Sequence, residues 1–412
     1  MVKHGQLLVL LLLAGLLSAC PEKCFCNSKV VDCRGIALRN FSASADPDTE
    51  TLFLDENSLL QIPRNAFKHL KSLNYLGLST NRLHLRNYTF EPLLKLQALD
   101  LSANQLSDLR GDIFGQLPNL TWLNLASNRL QRLPIVRPLA KLTYLDLSSN
   151  EFSVLRDTFA HLPQLDTLFL NNNQLQSLPA TGLDQLFLLG VLDLSNNQLS
   201  SLPPQFFNNH RKLTDLRLDH NRLESLSAML FVRQHLLQHL TISGNRIVHV
   251  PPQLLGNLTK LSLLDLSNNS LALLPHSVLS GLGELQTLKL SGNFIGELVA
   301  NTFRCNPKLA YLHLDSNSLS SLPVLEGLPL LEELGLSFNG LAAFPTGFAD
   351  NLAKLKCLQV TGNVIRHWDT GMFPNTTSVL LSNNPICSAS LPPTDLTLSD
   401  IVFHLPNLSP FA

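Results

Sequence analysis

His220, His239 and His313, together with Asp215, Asp219 and Asp315, are the side chains whose types suit a metal site or an acid–base pair. A zinc ion needs three or four donors converging on one point, and these six are spread in steps near 24 residues over five coils of the repeat described below. No G-x-S-x-G, H-E-x-x-H, P-loop or dinucleotide fingerprint occurs, and an open sheet offers no water-excluded pocket. The expectation is a protein that is not an enzyme and holds no metal or cofactor. A second set, Cys20, Cys24, Cys26 and Cys33, lies within fourteen residues. Four close cysteines either bind zinc or form two disulfides. Zinc fingers present two separated C-x-x-C-like pairs, whereas C-x3-C-x-C-x6-C does not, so disulfides are expected if the chain is exported.

The start of the chain supports export. Lys3 and His4 precede an apolar run, Leu7 to Leu17, and Ser18-Ala19 supplies small residues before Cys20. This is the shape of a secretory signal peptide over 1–19, too short to span a bilayer. Leu17-Ser18-Ala19-Cys20 also matches the lipobox of a bacterial lipoprotein, which competes with a disulfide at Cys20. No later apolar run reaches 18 residues, so no membrane span is expected. Lys+Arg number 30 and Asp+Glu 31, giving a net charge of -1, and without a basic footprint a nucleic-acid binder or polybasic membrane binder is disfavoured.

The 412 residues include 98 leucines, a bias that calls for a search for repeats. From about residue 45 the chain follows L-x-x-L-x-L-x-x-N-x-L, as in Leu96-Gln97-Ala98-Leu99-Asp100-Leu101-Ser102-Ala103-Asn104-Gln105-Leu106. Its asparagine recurs at 57, 81, 104, 128, 150, 173, 197, 221, 245, 269, 293, 317, 339, 363 and 384. The pattern is identified as the leucine-rich repeat, with a solenoid of about 15 repeats over 45–387.

Each recurring residue type has a physical reason. In Leu-x-Leu both leucines point inward and their neighbours outward, the period-two alternation of a short strand. The Asn sits where the backbone leaves the strand, and its amide can donate to and accept from backbone groups of its own and neighbouring coils. A Phe about ten residues later, at 67, 90, 114, 159, 303, 348 and 373, fills the convex side, where irregular or 3₁₀-like turns are expected. Stacking gives a curved α/β-repeat horseshoe with a concave parallel sheet. Two 22-residue repeats lack the Phe and read Leu133-Pro134-Ile135-Val136 and Leu322-Pro323-Val324-Leu325.

The cap at 20–44 resembles the cysteine-rich flank of extracellular animal leucine-rich-repeat proteins, with the cysteine spacing of the decorin-like small leucine-rich proteoglycans. The resemblance implies that Cys20 pairs with Cys26 and Cys24 with Cys33. It also implies a four-cysteine C-terminal cap, from which this chain departs: after Cys387 no cysteine follows, and the tail 388–412 contains Ile401, Val402, Phe403 and Leu405, which could lay an apolar strip over the last coil in place of that cap. Cys305, Cys357 and Cys387 remain, an odd number. For at least one this implies a free thiol or an intermolecular disulfide, and so a possible dimer or disulfide-linked assembly; for Cys305, burial as a small apolar residue is the other reading. Glycosylation sequons stand at Asn40, Asn87, Asn119, Asn257, Asn268, Asn375 and Asn407.

Function then rests on the outward strand positions. Phe53, Tyr75, Trp122, Tyr144 and Phe169 form an aromatic group flanked by Asp100 and Asp146, similar to a protein-binding hot spot. Asp193, Asp215, Arg217, Asp219, His220 and His239 form a mixed-charge patch. Mutual pairing across neighbouring coils is the alternative use of both groups. The expected activity is that of a secreted glycoprotein of the extracellular space or matrix, binding an extracellular protein or matrix ligand through the concave face. A soluble inhibitor or regulatory subunit of an extracellular enzyme, resembling the serum leucine-rich phospholipase inhibitors, is the alternative, as is the ligand-binding part of a cell-surface receptor.

Overall fold

The computed structural model describes residues 20–388, less 42–44, 87–88, 108, 110–112, 133–138, 156, 180, 370–371 and 374–376. The leader at 1–19, the short arc at Leu133–Val136 and the tail beyond 388 lie outside them. The chain divides into two compact units, one ending at Leu261 and the other beginning at Ser262. Each is a solenoid of short parallel strands.

In the first unit a hairpin, β1 (Phe25–Asn27) with β2 (Val30–Asp32), opens the sheet antiparallel. Parallel to β2 follow β3 (Thr51–Phe53), β4 (Tyr75–Gly77), β5 (Ala98–Asp100), β6 (Trp122–Asn124), β7 (Tyr144–Asp146), β8 (Thr167–Phe169), β9 (Val191–Asp193), β10 (Asp215–Arg217) and β11 (His239–Thr241), one per coil. The second unit continues the pattern with β12 (Leu263–Asp265), β13 (Thr287–Lys289), β14 (Tyr311–His313), β15 (Glu333–Gly335), β16 (Cys357–Gln359) and β17 (Ser378–Leu380). The side opposite the sheet is mostly turns, with a 3₁₀ segment at Asp157–His161 and a helical turn, α1, at His276–Leu279. The two disulfides implied by the resemblance are present, Cys20–Cys26 and Cys24–Cys33.

The strand alternation is realised as expected from β3 to β16: the central Leu of each triplet, such as Leu52, Leu76, Leu99 and Leu123, is inaccessible. Burying each stabilises the coil by about 1.5–3 kcal/mol. The phenylalanines form a spine behind them, with Phe41, Phe67, Phe90 and Phe114 in succession at centroid spacings of 6.0, 6.4 and 6.4 Å. Phe207 and Phe231, 5.7 Å apart, carry the same column further along the first unit.

The asparagine amides tie coil to coil. Asn81 donates through Nδ2 to Leu54 O of the preceding coil (3.0 Å) and to Leu78 O (3.1 Å) and Ser79 O (3.0 Å) of its own, while its Oδ1 accepts the Leu59 N–H at 3.0 Å. Asn104, Asn128, Asn150, Asn173, Asn197, Asn221 and Asn245 repeat the four bonds, as do Asn317 and Asn339 in the second unit. The residue before the Asn is left-handed in coil after coil, from Glu56 (φ 57) and Thr80 (φ 52) to His220 (φ 51). That backbone kink aims the amide inward, and an L-residue holds it only because the surrounding bonds over-determine it.

Three buried polar residues take the place of a core Leu on the turn side and were not anticipated. His210 Nε2 lies 3.0 Å from Leu183 O, Gln234 Nε2 donates to Phe207 O at 2.5 Å, and Asn306 Nδ2 donates to Leu279 O and Leu282 O at 3.1 and 2.9 Å. Each meets a carbonyl of the preceding coil, and burial pushes the His210 imidazole pKa down, favouring its neutral form.

Asn221→Ala is expected to remove three donated bonds and the acceptor for Leu199 N–H, costing about 1–3 kcal/mol. Urea unfolding measures this, and an unchanged midpoint would contradict the role given to the amide.

Candidate ligand-binding face

Strand register sets the outward side chains in two columns. One runs Thr51, Tyr75, Ala98, Trp122, Tyr144, Thr167, Val191, Asp215, His239, and the other Phe53, Gly77, Asp100, Asn124, Asp146, Phe169, Asp193, Arg217, Thr241. The five aromatic residues singled out from the sequence all lie on this face, half-buried. They form two clusters, because Ala98 and Asp100 of β5 separate them. Trp122 stacks on Tyr144 with centroids 5.2 Å apart and planes at 15°, and Phe169 meets Tyr144 edge-on at 5.7 Å. Nearer the cap, Phe53 and Tyr75 lie 5.2 Å apart.

Arg34, which sequence reasoning missed, covers this second cluster. Its guanidinium stands 4.5 Å from the Phe53 centroid, held in a fork by Asp32 through Nε to Oδ1 (3.0 Å) and Nη2 to Oδ2 (2.6 Å). In the sheet register Asp32 stands beside Phe53, which brings Arg34, two residues on, to the same ring; the cap lies outside the repeat, so no period in the sequence marked this contact.

The flanking carboxylates cap the chain as it leaves the strands. Asp100 Oδ1 accepts Ser102 N–H at 2.9 Å, Asn124 Oδ1 accepts Ala126 N–H at 3.0 Å, and Asp146 Oδ1 accepts Ser148 N–H at 2.8 Å. Burial, with Asp146 and Asp100 nearby, pushes the Tyr144 phenol up to about 12. Asp55 occupies the space that Gly77 leaves, where any Cβ would collide with its carboxylate. Its Oδ1 accepts Ser79 N–H at 2.8 Å, and burial raises its carboxyl pKa.

Four of the six mixed-charge residues pair with one another. Arg217 lies 3.6 Å from Asp193, and His239 Nδ1 2.5 Å from Asp215 Oδ1. Asp219 accepts Ser243 N–H at 2.8 Å and the Thr241 hydroxyl. The left-handed His220 lays its ring where Gly244 has no side chain. Among the described residues no three His, Cys, Asp or Glu side chains converge as metal ligands would.

The remaining cysteines are unbridged. Cys305 is exposed, which removes the reading of it as a buried apolar residue: it lies in the turn before Asn306, the residue that turns inward instead. Cys387 is exposed, and Cys357, on β16, is half-buried, its thiol pKa raised by burial and by Glu333. Of the sequons, Asn40, Asn257 and Asn268 are exposed, while Asn119 is half-buried and donates through Nδ2 to Leu94 O at 2.9 Å. Asn87, Asn375 and Asn407 lie outside the described residues.

Residues 83–130, 94–152, 135–175, 187–247, 235–295 and 284–341 match the family model described as leucine rich repeat. The chain is similar to decorin of Rattus norvegicus, 39% identical over 61 residues, which is 15% of this chain and 17% of decorin. The chain thus spans less than a fifth of that relative's length. Among solved structures, a leucine-rich-repeat protein of Leptospira interrogans is similar at 28% identity with a TM-score of 0.74, over 87% of this chain and 91% of that one. The ectodomain of a plant membrane receptor kinase of Arabidopsis thaliana, in complex with Casparian strip integrity factor 2, is 28% identical with a TM-score of 0.61, over 82% of this chain and 44% of that one.

A raised carboxyl pKa means that the folded chain keeps a proton at Asp55 where the unfolded chain has lost it. That contribution to stability is fully present below the ordinary carboxylate pKa and is lost as pH rises through the elevated one. Asp55→Asn, which keeps the acceptor for Ser79, is therefore expected to raise the melting temperature at pH 7 relative to wild type and to have little effect near pH 3. Equal shifts at both pH values in thermal unfolding would contradict this assignment.

Proposed function

The chain belongs to the leucine-rich-repeat family, and from that premise we propose that it works as a secreted glycoprotein that binds an extracellular protein or matrix ligand through the face of its parallel sheet, the concave side of the solenoid. The family fold is a protein-interaction scaffold, typically non-enzymatic. The observation that carries the reading is the ring group of β6–β8: three aromatic side chains packed against one another yet still half-exposed on preformed strands. Large amphipathic rings in fixed positions supply contact area at small ordering cost, and residues of this kind dominate binding energy in protein interfaces.

Secretion is supported by the leader read at 1–19 and by the two disulfides of the cap, bonds that persist in oxidising compartments. The cap at 20–44 is read as the flank of a decorin-like protein and the solenoid as extending to 387. The exposed sequons at Asn40, Asn257 and Asn268 suit glycosylation. No helix among the described residues is long and apolar enough to cross a membrane. A second reading, the ligand-binding part of a cell-surface receptor, is favoured by the likeness to the plant receptor ectodomain over 82% of this chain.

Trp122→Ala is expected to leave secretion intact and to weaken the partner by about 2 kcal/mol, roughly thirtyfold. Partners captured from extracellular fluid and matrix extract, identified by mass spectrometry and then titrated, measure this. Leu94→Ser, at an exposed position on the turn side, serves as control and should retain them. Undiminished affinity in the Trp122 variant would remove this face from consideration.

A further inference from the structure

The charge on the ring-bearing strip is one-sided. From β4 to β8 the outward strand positions, the residue before each strand and the residue after the second leucine include Asp100, Asp146 and Asp166 but neither Lys nor Arg. The cations that bound the strip are already engaged within the protein, Arg34 by Asp32 and Arg217 by Asp193. Asp100 and Asp146 are half-buried, and each spends one oxygen on a backbone N–H. Among the described residues the second oxygen of Asp100 meets the Asn124 amide alone, at 3.4 Å. The two carboxylates flank Asn124 in register, two strand spacings or about 10 Å apart. The stacked rings of Trp122 and Tyr144 lie in the adjoining column. The elevated Tyr144 pKa has burial as its main cause, followed by the charge of Asp146, a hydrogen bond from the phenol to that carboxylate, and the charge of Asp100.

A carboxylate beside an aromatic face attracts a guanidinium or ammonium group twice, through the ion pair and through the ring quadrupole, and both gain where water is displaced. We propose that the segment seated on β4–β8 is a basic, extended peptide of the partner, with an Arg or Lys side chain laid over Trp122 and Tyr144 and reaching Asp100 or Asp146. This deepens the reading of the sheet face as the binding surface and rests on it. An acidic partner would meet uncompensated repulsion on this strip, and a purely apolar one would leave both carboxylates desolvated without a cation.

The test isolates the charge while keeping the fold. Asn124 holds the same strand position as Asp100 and Asp146 and makes the same cap to the backbone, so Asp100→Asn with Asp146→Asn keeps both caps and removes two charges. The probes are two fluorescein-labelled octapeptides, one alternating Arg and Leu, the other alternating citrulline and Leu, titrated against the full secreted chain. The wild type is expected to bind the arginine peptide at least about tenfold more tightly than the citrulline peptide. That preference should disappear in the double Asn variant and weaken as salt is raised. Equal affinity for the two peptides, no measurable binding of the arginine peptide, or a preference that survives in the double variant would each overturn the proposal. If the preference is absent while Trp122→Ala still loses its captured partners, the sheet face remains the binding surface and only the basic character of the ligand falls.

Discussion

The asparagine amide is the interaction on which the rest of this structure depends. A coil of about two dozen residues cannot bury its own core, and a three-residue strand is too short to hold its register alone. Each Asn side chain supplies both a donor and an acceptor at the point where the chain turns out of the strand, and it spends them on its own coil and the preceding one, as Asn81 does on Leu78 O, Leu54 O and Leu59 N–H. The leucines give the coils a reason to stack, and the amide fixes how far each is turned and displaced relative to the last. Equivalent residues therefore fall into columns, and columns turn residues 24 positions apart into neighbours.

The same repetition explains why the sheet face can vary. The inward leucines and the ladder asparagines satisfy the core and most of the backbone, so many outward positions are released from structural duty, although Asp100, Asn124 and Asp146 still cap the chain leaving the strand. In some coils that freedom is used for internal pairing, as between Asp193 and Arg217 or Asp215 and His239. In β6–β8 it is used to display Trp122, Tyr144 and Phe169. Asp55 and Gly77 show the limit of the freedom: a buried carboxylate that caps the next coil demands that its neighbour have no side chain.

Much of this was legible in the sequence because period and position coincide. The spacing of Asn57, Asn81 and Asn104 set the coils, and the residues around Leu76 or Leu123 set the columns, so the contact of Trp122 with Tyr144 could be read without coordinates. The mutual pairing of the charged residues was likewise visible as one of two options. What was not legible depends on contacts that break the period. His210, Gln234 and Asn306 stand at leucine positions, and nothing local marks the carbonyl, one coil back, that each one satisfies. Arg34 belongs to the cap, where no repeat fixes its direction, and the division of the rings into two clusters follows from the small side chain of Ala98, which a column of residue names does not weigh.

The central claim is that binding energy resides on the sheet face of β4–β8 and not on the turn side. Hydroxyl-radical footprinting of the full chain, alone and in complex with its captured partner, tests this at the level of single side chains. The account predicts that Trp122, Tyr144 and Tyr75 lose reactivity in the complex while Phe187 and Met229, both exposed away from the strands, keep theirs. Protection of Phe187 and Met229 with Trp122 and Tyr144 unchanged would contradict it.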